Sequence, residues 1–197
     1  MHRFKNTSFE GKNLNFSRLL AGQVLSGTNF CNSKLQHANL NEVTAVNSNF
    51  TKANMSSCKM KNGKAVRSVF CGTVLDDADL EGTNFYLGDF TGANLVATVL
   101  RNCNLTHCNF ANAVMSADLR GSKLYGVDLT STVIEHCIFD ANTFDGAKLT
   151  SEQKAWVDRK LESQMIESLS AKAEQDILAV LDHEKNKSSK DFSLLLN

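Results

Sequence analysis

Large apolar residues recur at every fifth position over most of this 197-residue chain. In TNFYLGDFTGANLVATVLRNCNLTHCNF, residues 83–110, they fall at Phe85, Phe90, Leu95, Leu100, Leu105 and Phe110. A helix calls for apolar spacings of three and four, and a half-buried strand for every second residue, so a period of five fits neither and marks a repeat. Stepping back from Phe110, the same register passes through Phe30, Leu35, Leu40, Ala45, Phe50, Met55, Met60, Ala65, Phe70, Leu75 and Leu80, and only the two alanines are undersized. The residue two places before each centre is mostly small, as at Ser33, Ala38, Thr73, Ala93 and Cys103. The residue just before it is often Asn or Asp, a type that favours tight turns. The register slips by one and resumes at Leu119, Leu124, Leu129, Ile134, Phe139, Phe144 and Leu149, and a matching slip near Ser17 to Leu20 joins it to Phe4, Phe9 and Leu14. Both slips read as local bulges inside one repeat.

Units such as ANLVA, ADLRG, ADLEG and TNFYL resemble the A(D/N)LXX pattern of the pentapeptide-repeat family, and the match runs from residue 4 to residue 149. The resemblance implies an all-β solenoid, a right-handed quadrilateral parallel β-helix of about seven coils with four pentapeptides to each square coil. In that fold the centre and the small residue two before it point inward, and the other three positions face solvent. At a strand spacing of ~4.8 Å the solenoid would be roughly 35 Å long. Each coil touches only its neighbours, so both ends need caps.

The period ends after Leu149. Thr150–Gln153, TSEQ, carries a capping-box signature for a helix start. Beyond it apolar residues repeat at spacings of four, which drift around a 3.6-residue helix. Two helical segments, 151–167 and 170–184, are therefore expected, with a bend near Ser168 to Ser170. Trp156, Val157 and Leu161 in the first are expected to cap the open end of the solenoid. The second is a candidate for homodimerisation or for binding a partner helix. The polar run HEKNKSSKD reads as a linker, which leaves Phe192, Leu194, Leu195 and Leu196 as an apolar docking tail. The expected organisation is thus 1–149 solenoid, 150–184 helical cap or partner segment, and 185–197 flexible tail.

Formal charge is zero, with 21 basic and 21 acidic residues, which argues against a generic nucleic-acid or membrane-surface binder. The balance hides a gradient: residues 1–70 carry ten basic and two acidic side chains, whereas residues 71–150 carry four and ten. No apolar run approaches the ~20 residues of a membrane-spanning helix and no signal-peptide pattern opens the chain. The expectation is a cytoplasmic protein, with translocation as an effector a further reading.

Candidate chemistry is sparse. Cys103, His107 and Cys108 suggest metal-ligand spacing, but the repeat register turns the cysteines inward and the histidine outward. Cys58 and Cys137 are expected inside as small hydrophobes, and Cys31 and Cys71 outside. The acidic stretch DDADLEG offers Asp76, Asp77, Asp79 and Glu81, which with Asp89 form the candidate partner-binding carboxylates. A flat solenoid face lacks the concave pocket and unequal environments that acid–base catalysis needs, and no phosphate loop, GxSxG or HExxH is present. Neither an enzyme nor a cofactor is expected. Ala45 and Ala65, one coil apart, mark either a dent or a place where neighbouring valines fill the space. The composition favours a non-enzymatic interaction scaffold for a protein partner. Two further readings come from the resemblance: a DNA mimic acting on gyrase or topoisomerase, and a secreted bacterial effector working as an adaptor. A duplex mimic of 35 Å would present about 20 negative charges, whereas residues 1–150 hold 14 basic and 12 acidic residues.

Overall fold

A computed structural model describes the backbone of residues 4–194 and the side chains of that range as far as residue 179, apart from 177. The chain divides into two compact units, Met1–Lys154 and Ala155–Asn197.

In the first unit one turn follows each apolar centre. The centre's carbonyl accepts a hydrogen bond from the N–H three residues on, as from Ser33 to Phe30 at 3.0 Å and from Ala53 to Phe50 at 2.9 Å. The third residue of most such turns has a positive φ, 55° at Asn32, Lys52 and Ala97, which is the signature of a type II turn; the turns after Leu129 and Ile134 lack it. Among the described residues none of these left-handed positions is β-branched, in line with the steric cost of that region. A corner every fifth residue brings the chain back over itself after twenty. Parallel bridges accordingly join Val24 to Thr44, Asn49 to Val69 and Asp89 to Asn109.

The two slips appear as changes in that offset. Ser8 and Asn13 pair with Asn29 and Lys34, twenty-one residues on, so one residue is inserted between Leu14 and Leu20. Asn104 and Val114 pair with Lys123 and Val133, nineteen on, and Asp118 with Ile138 restores twenty. One residue is missing from the later coil at this second site, and the ladder takes it up as a register shift, a β-bulge, between Val96 and Val99. Strand β2, Val114–Asp118, runs through the site beside β1, Asn94–Val99, with Asn94, Leu95 and Val96 opposite Val114, Met115 and Ser116, and Val99 opposite Asp118. Met115, Ala117 and Leu119 alternate into the core while Val114, Ser116 and Asp118 stay outward.

The centres stack coil on coil. On one face Phe9, Phe30, Phe50, Phe70, Phe90 and Phe110 form a column with successive ring centroids 4.8–5.3 Å apart. Those separations match the strand spacing, so each ring lies over the next. Phe85 meets this column edge-on, 5.5 Å from Phe70 and 5.2 Å from Phe90. Ala45 and Ala65 are fully buried, and the unusually large inward partner Val43 is buried beside Ala45.

The second unit holds one helix, α1, Ser151–Leu194, whose first turn belongs to the first unit. Its capping box forms reciprocally: Thr150 N–H donates to Gln153 Oε1 at 2.8 Å and Gln153 N–H to Thr150 Oγ1 at 3.1 Å. The expected pair of segments is instead a single helix. The drift of apolar spacing does not break it, because no glycine or proline intervenes, and the bond from the Ser168 hydroxyl to the Met165 carbonyl at 2.7 Å does not interrupt it. Helix also runs through 185–194, where polar composition suggested a tail, since a helix satisfies its backbone internally whatever its side chains. Leu195 and Leu196 lie outside the described residues, and Phe192 and Leu194 lie on the helix without described side chains.

Candidate functional site

The inward small residues do more than leave room. Thr73 Oγ1 donates to the Phe50 carbonyl at 2.8 Å, Thr98 Oγ1 to Leu75 at 2.9 Å and Ser48 Oγ to Leu25 at 2.7 Å. Each bond ties a coil to the turn of the coil before it. The buried cysteines take the same post: Cys103 Sγ donates to the Leu80 carbonyl at 3.2 Å and Cys108 Sγ to Phe85 at 3.1 Å. Burial pushes the thiols of Cys58, Cys103 and Cys108 up to about 12, with Asp79 adding to the effect at Cys58. His107 points away from them, edge-on between Tyr86 and Tyr125 with centroids 6.1 and 5.8 Å distant. The three side chains of CNLTHC therefore diverge. Among the described residues no group of three or more His, Cys, Asp or Glu is placed to hold a metal ion.

The Asn and Asp residues just before the centres also have a local task. Asn49, Asn94 and Asp128 accept hydrogen bonds from the backbone two residues on, at 2.9, 3.1 and 3.0 Å. These are Asx turns, which hold the entry to each corner.

The five candidate carboxylates do not converge. Asp89 lies on the phenylalanine face and accepts from Thr91 N–H at 3.0 Å, from Thr91 Oγ1 at 2.6 Å and from Cys71 Sγ at 3.2 Å. Burial acts to raise its carboxyl, but the bonds from Thr91 and Cys71 outweigh that and leave it below the usual carboxylate range. Cys71 in turn is pushed up to about 11 by burial and by Asp89. Asp76 and Asp77 sit on the next face: Asp76 accepts from Ser56 Oγ at 3.0 Å, and Asp77 is an exposed corner residue with φ of 56°.

Asp79 and Glu81 lie on the third face inside a ladder of opposite charges. Lys61 Nζ is 3.2 Å from Asp79 and 2.9 Å from Glu81, and Arg101 lies 3.6 Å from Glu81 and 3.8 Å from Asp118. Arg120 completes the series 2.6 Å from Asp118, whose carboxyl it holds below the usual range. Sequence reading missed this ladder because the partners lie in consecutive coils, about twenty residues apart. Aligning the sequence in rows of twenty would have placed Lys61, Glu81 and Arg101 in one column. Following the bridges across the nineteen-residue step places Val74, Asn94, Val114 and Val133 in one outward ladder on the second face, whose valines the search for polar chemistry passed over.

Of the expected cap residues, Val157 is buried and Trp156 and Leu161 are half-buried. One end contact was not foreseen. Gln153 Nε2 donates to the carbonyls of Leu129 and Thr132 at 2.9 and 2.8 Å, so the capping-box residue also occupies acceptors of the last coils. Among the described residues no helix is long and apolar enough to cross a membrane.

No curated protein gives a significant match to the sequence. Among solved structures the chain is similar to a trypsin-treated variant of QnrB1, a plasmid-mediated fluoroquinolone resistance protein, with 21% identity over 82% of this chain and 90% of that one and a TM-score of 0.48. It is also similar to the pentapeptide repeat protein Rfr23 from the cyanobacterium Cyanothece 51142, at 24% identity over 57% and 64% with a TM-score of 0.35. A pentapeptide repeat protein of the Arabidopsis thaliana thylakoid lumen matches at 24% identity over 58% and 70%, with a TM-score of 0.36. The family model for pentapeptide repeats matches in eight copies over residues 24–62, 61–92 and 89–140. With that model covering more than half of the sequence and the coils bridged at twenty-residue intervals, the chain belongs to the pentapeptide-repeat family.

Proposed function

We propose that this chain is a non-enzymatic interaction scaffold that presents columns of outward side chains to a protein partner. The observation that carries the reading is the division of labour within each pentapeptide. Centres fill the core, the residues two before them bond the preceding coil, and Asn or Asp before the centre braces the corner. What remains free to vary is the outward surface, where columns recur at the coil spacing. The right-handed sense and the count of about seven coils belong to the same reading and come from the family resemblance. The end-cap role of Trp156, Val157 and Leu161 and a homodimer formed through α1 also belong to the reading, and rest on the apolar pattern of the C-terminal segment.

The charge ladder weighs against duplex mimicry on the third face. Asp79 and Glu81 there are met by Lys61 and Arg101 on neighbouring coils, so their charge is compensated rather than displayed.

Affinity capture from cell lysate, identified by mass spectrometry, tests the scaffold reading by comparing the full chain with residues 1–154. The boundary follows Lys154 so that Gln153 keeps its bonds to Leu129 and Thr132. A partner retained by residues 1–154 assigns binding to the solenoid, and one lost with α1 assigns it to the helix. Recovery of gyrase or topoisomerase subunits by both would replace this reading with duplex mimicry, and recovery of no protein by either would refute the scaffold.

A further inference from the structure

The second face of the solenoid carries an apolar strip. Val74, Asn94, Val114 and Val133 follow one another along a single ladder of bridges. Val114 is 59% exposed and Val133 61%. Val96 flanks the ladder in β1. The outward position just before a centre elsewhere carries mainly Asn, Asp or Lys, and those residues brace turns or meet solvent. Valine there braces nothing.

The strip has a charged border of one sign. Asp76 and Asp77 lie beside Val74 and Val96, and Glu135 follows Val133. Among the described residues none of these three carboxylates takes part in an ion pair, in contrast to Asp79, Glu81, Asp118 and Asp128. The outward positions of this face hold neither Lys nor Arg from residue 54 to residue 136.

We propose that this strip is the docking face of the scaffold and that its occupant is a basic amphipathic helix of a partner protein. The inference rests on the scaffold reading and names its surface. A helix laid along the stack advances about 5.4 Å per turn, close to the ~4.8 Å between coils. Apolar side chains at i, i+4 and i+7 of such a helix therefore face three successive coils, which present Val96 beside Asn94, then Val114, then Val133. Lysines or arginines on its flanks meet Asp76, Asp77 and Glu135, which steers the approach and sets the orientation. A second copy's α1 is the competing occupant. It fits poorly, because the stretch bearing the exposed Met165, Ile166, Leu169 and Leu178 also bears Glu162, Glu167, Glu174 and Asp176 against the single Lys172.

A library of displayed helical peptides, selected on the full chain, tests the assignment. Enrichment of peptides with apolar residues at i, i+4 and i+7 and flanking Lys or Arg is expected. Val114→Lys combined with Val133→Lys should weaken such a peptide at least tenfold, while circular dichroism and the unfolding midpoint stay as in the parent, since both positions are exposed. Asp76→Asn with Asp77→Asn and Glu135→Gln should weaken it less and flatten its salt dependence. Enrichment of acidic peptides, enrichment of none, or peptides indifferent to the valine changes would overturn the docking face. Peptides that depend instead on Lys64, Arg67 or Lys123 of the fourth face would overturn it and leave the scaffold reading standing. Sedimentation of the parent as a dimer that the valine changes dissociate would replace the partner helix with a second copy.

Discussion

At the scale of single residues, the pentapeptide divides its work between packing and hydrogen bonding. The inward position two before the centre suits Ser, Thr or Cys because a small donor there reaches the carbonyl of the preceding turn. Removing one such donor leaves the shape of Thr73 intact in Thr73→Val but deprives the Phe50 carbonyl of its second bond. The cost should be about 1 kcal/mol, read from urea unfolding of the pair of proteins. The cysteines follow the same logic and are chemically quiet. With Cys58, Cys103 and Cys108 pushed up to about 12, and Cys71 and Cys137 to about 11, thiolate is scarce near neutrality. A disulfide reagent at pH 8 should therefore label native protein slowly and chiefly at Cys31, and label all six thiols once guanidinium unfolds the chain. Rapid labelling of Cys103 or Cys108 in native protein would contradict their inward placement. The inward direction of these cysteines was legible from their place in the repeat. Their role as donors was not, because the acceptor lies 23 residues earlier in the chain.

At the scale of elements, columns of like residues decide the energetics. Phe70 stacks between Phe50 and Phe90 and meets Phe85 edge-on, so Phe70→Ala opens a cavity that rigid coils above and below cannot close. A loss of about 3–5 kcal/mol is expected. The ion-pair ladder works in the other direction of magnitude. Glu81→Gln removes contacts to Lys61 and Arg101 that are partly open to water, and the loss should stay within about 1 kcal/mol. Equal losses from the two substitutions would mean that the core column is not what holds adjacent coils together. Leu95→Asp places an uncompensated charge inside the stack. That variant should lose its β-sheet circular dichroism and its cooperative melt; an unchanged melting temperature would show that Leu95 is not a core centre. Helix α1 teaches the opposite lesson about periodicity. Its apolar residues drift around the helix, and the drift suggested a break, yet intrinsic propensity and internal hydrogen bonding keep one helix through residue 194.

At the scale of the whole molecule, near-neutral charge conceals carboxylates that folding has committed. Asp118 is held low first by its hydrogen bond from Arg120. At Asp89 and Asp140 burial acts to raise the carboxyl, and hydrogen bonds, from Thr91 at Asp89 and from Thr143 at Asp140, outweigh it and bring both below the usual range. A carboxylate depressed on folding contributes stability that is present above the unfolded value, near 3.9, and is lost as pH falls through the folded value. The urea midpoint should thus hold level from pH 7 to pH 5 and fall below pH 4, and Asp118→Asn should shallow that fall. A midpoint that rises on acidification would contradict the assignment. Much of the architecture was determined by the sequence alone, because a period of five with inward centres and small partners admits few solutions, and even the two slips at Ser17–Leu20 and after Met115 were visible as counts. What those counts could not give was how the coil takes up the missing residue, which β2 does by following β1 with a bulge between Val96 and Val99. Tertiary structure also decided which outward residues meet. Lys61 with Glu81, and Val114 with Val133, are a coil apart in sequence and about 5 Å apart across the coil stack, and only stacking of the coils turns that separation into a neutralised ladder on one face and a bare apolar strip on another.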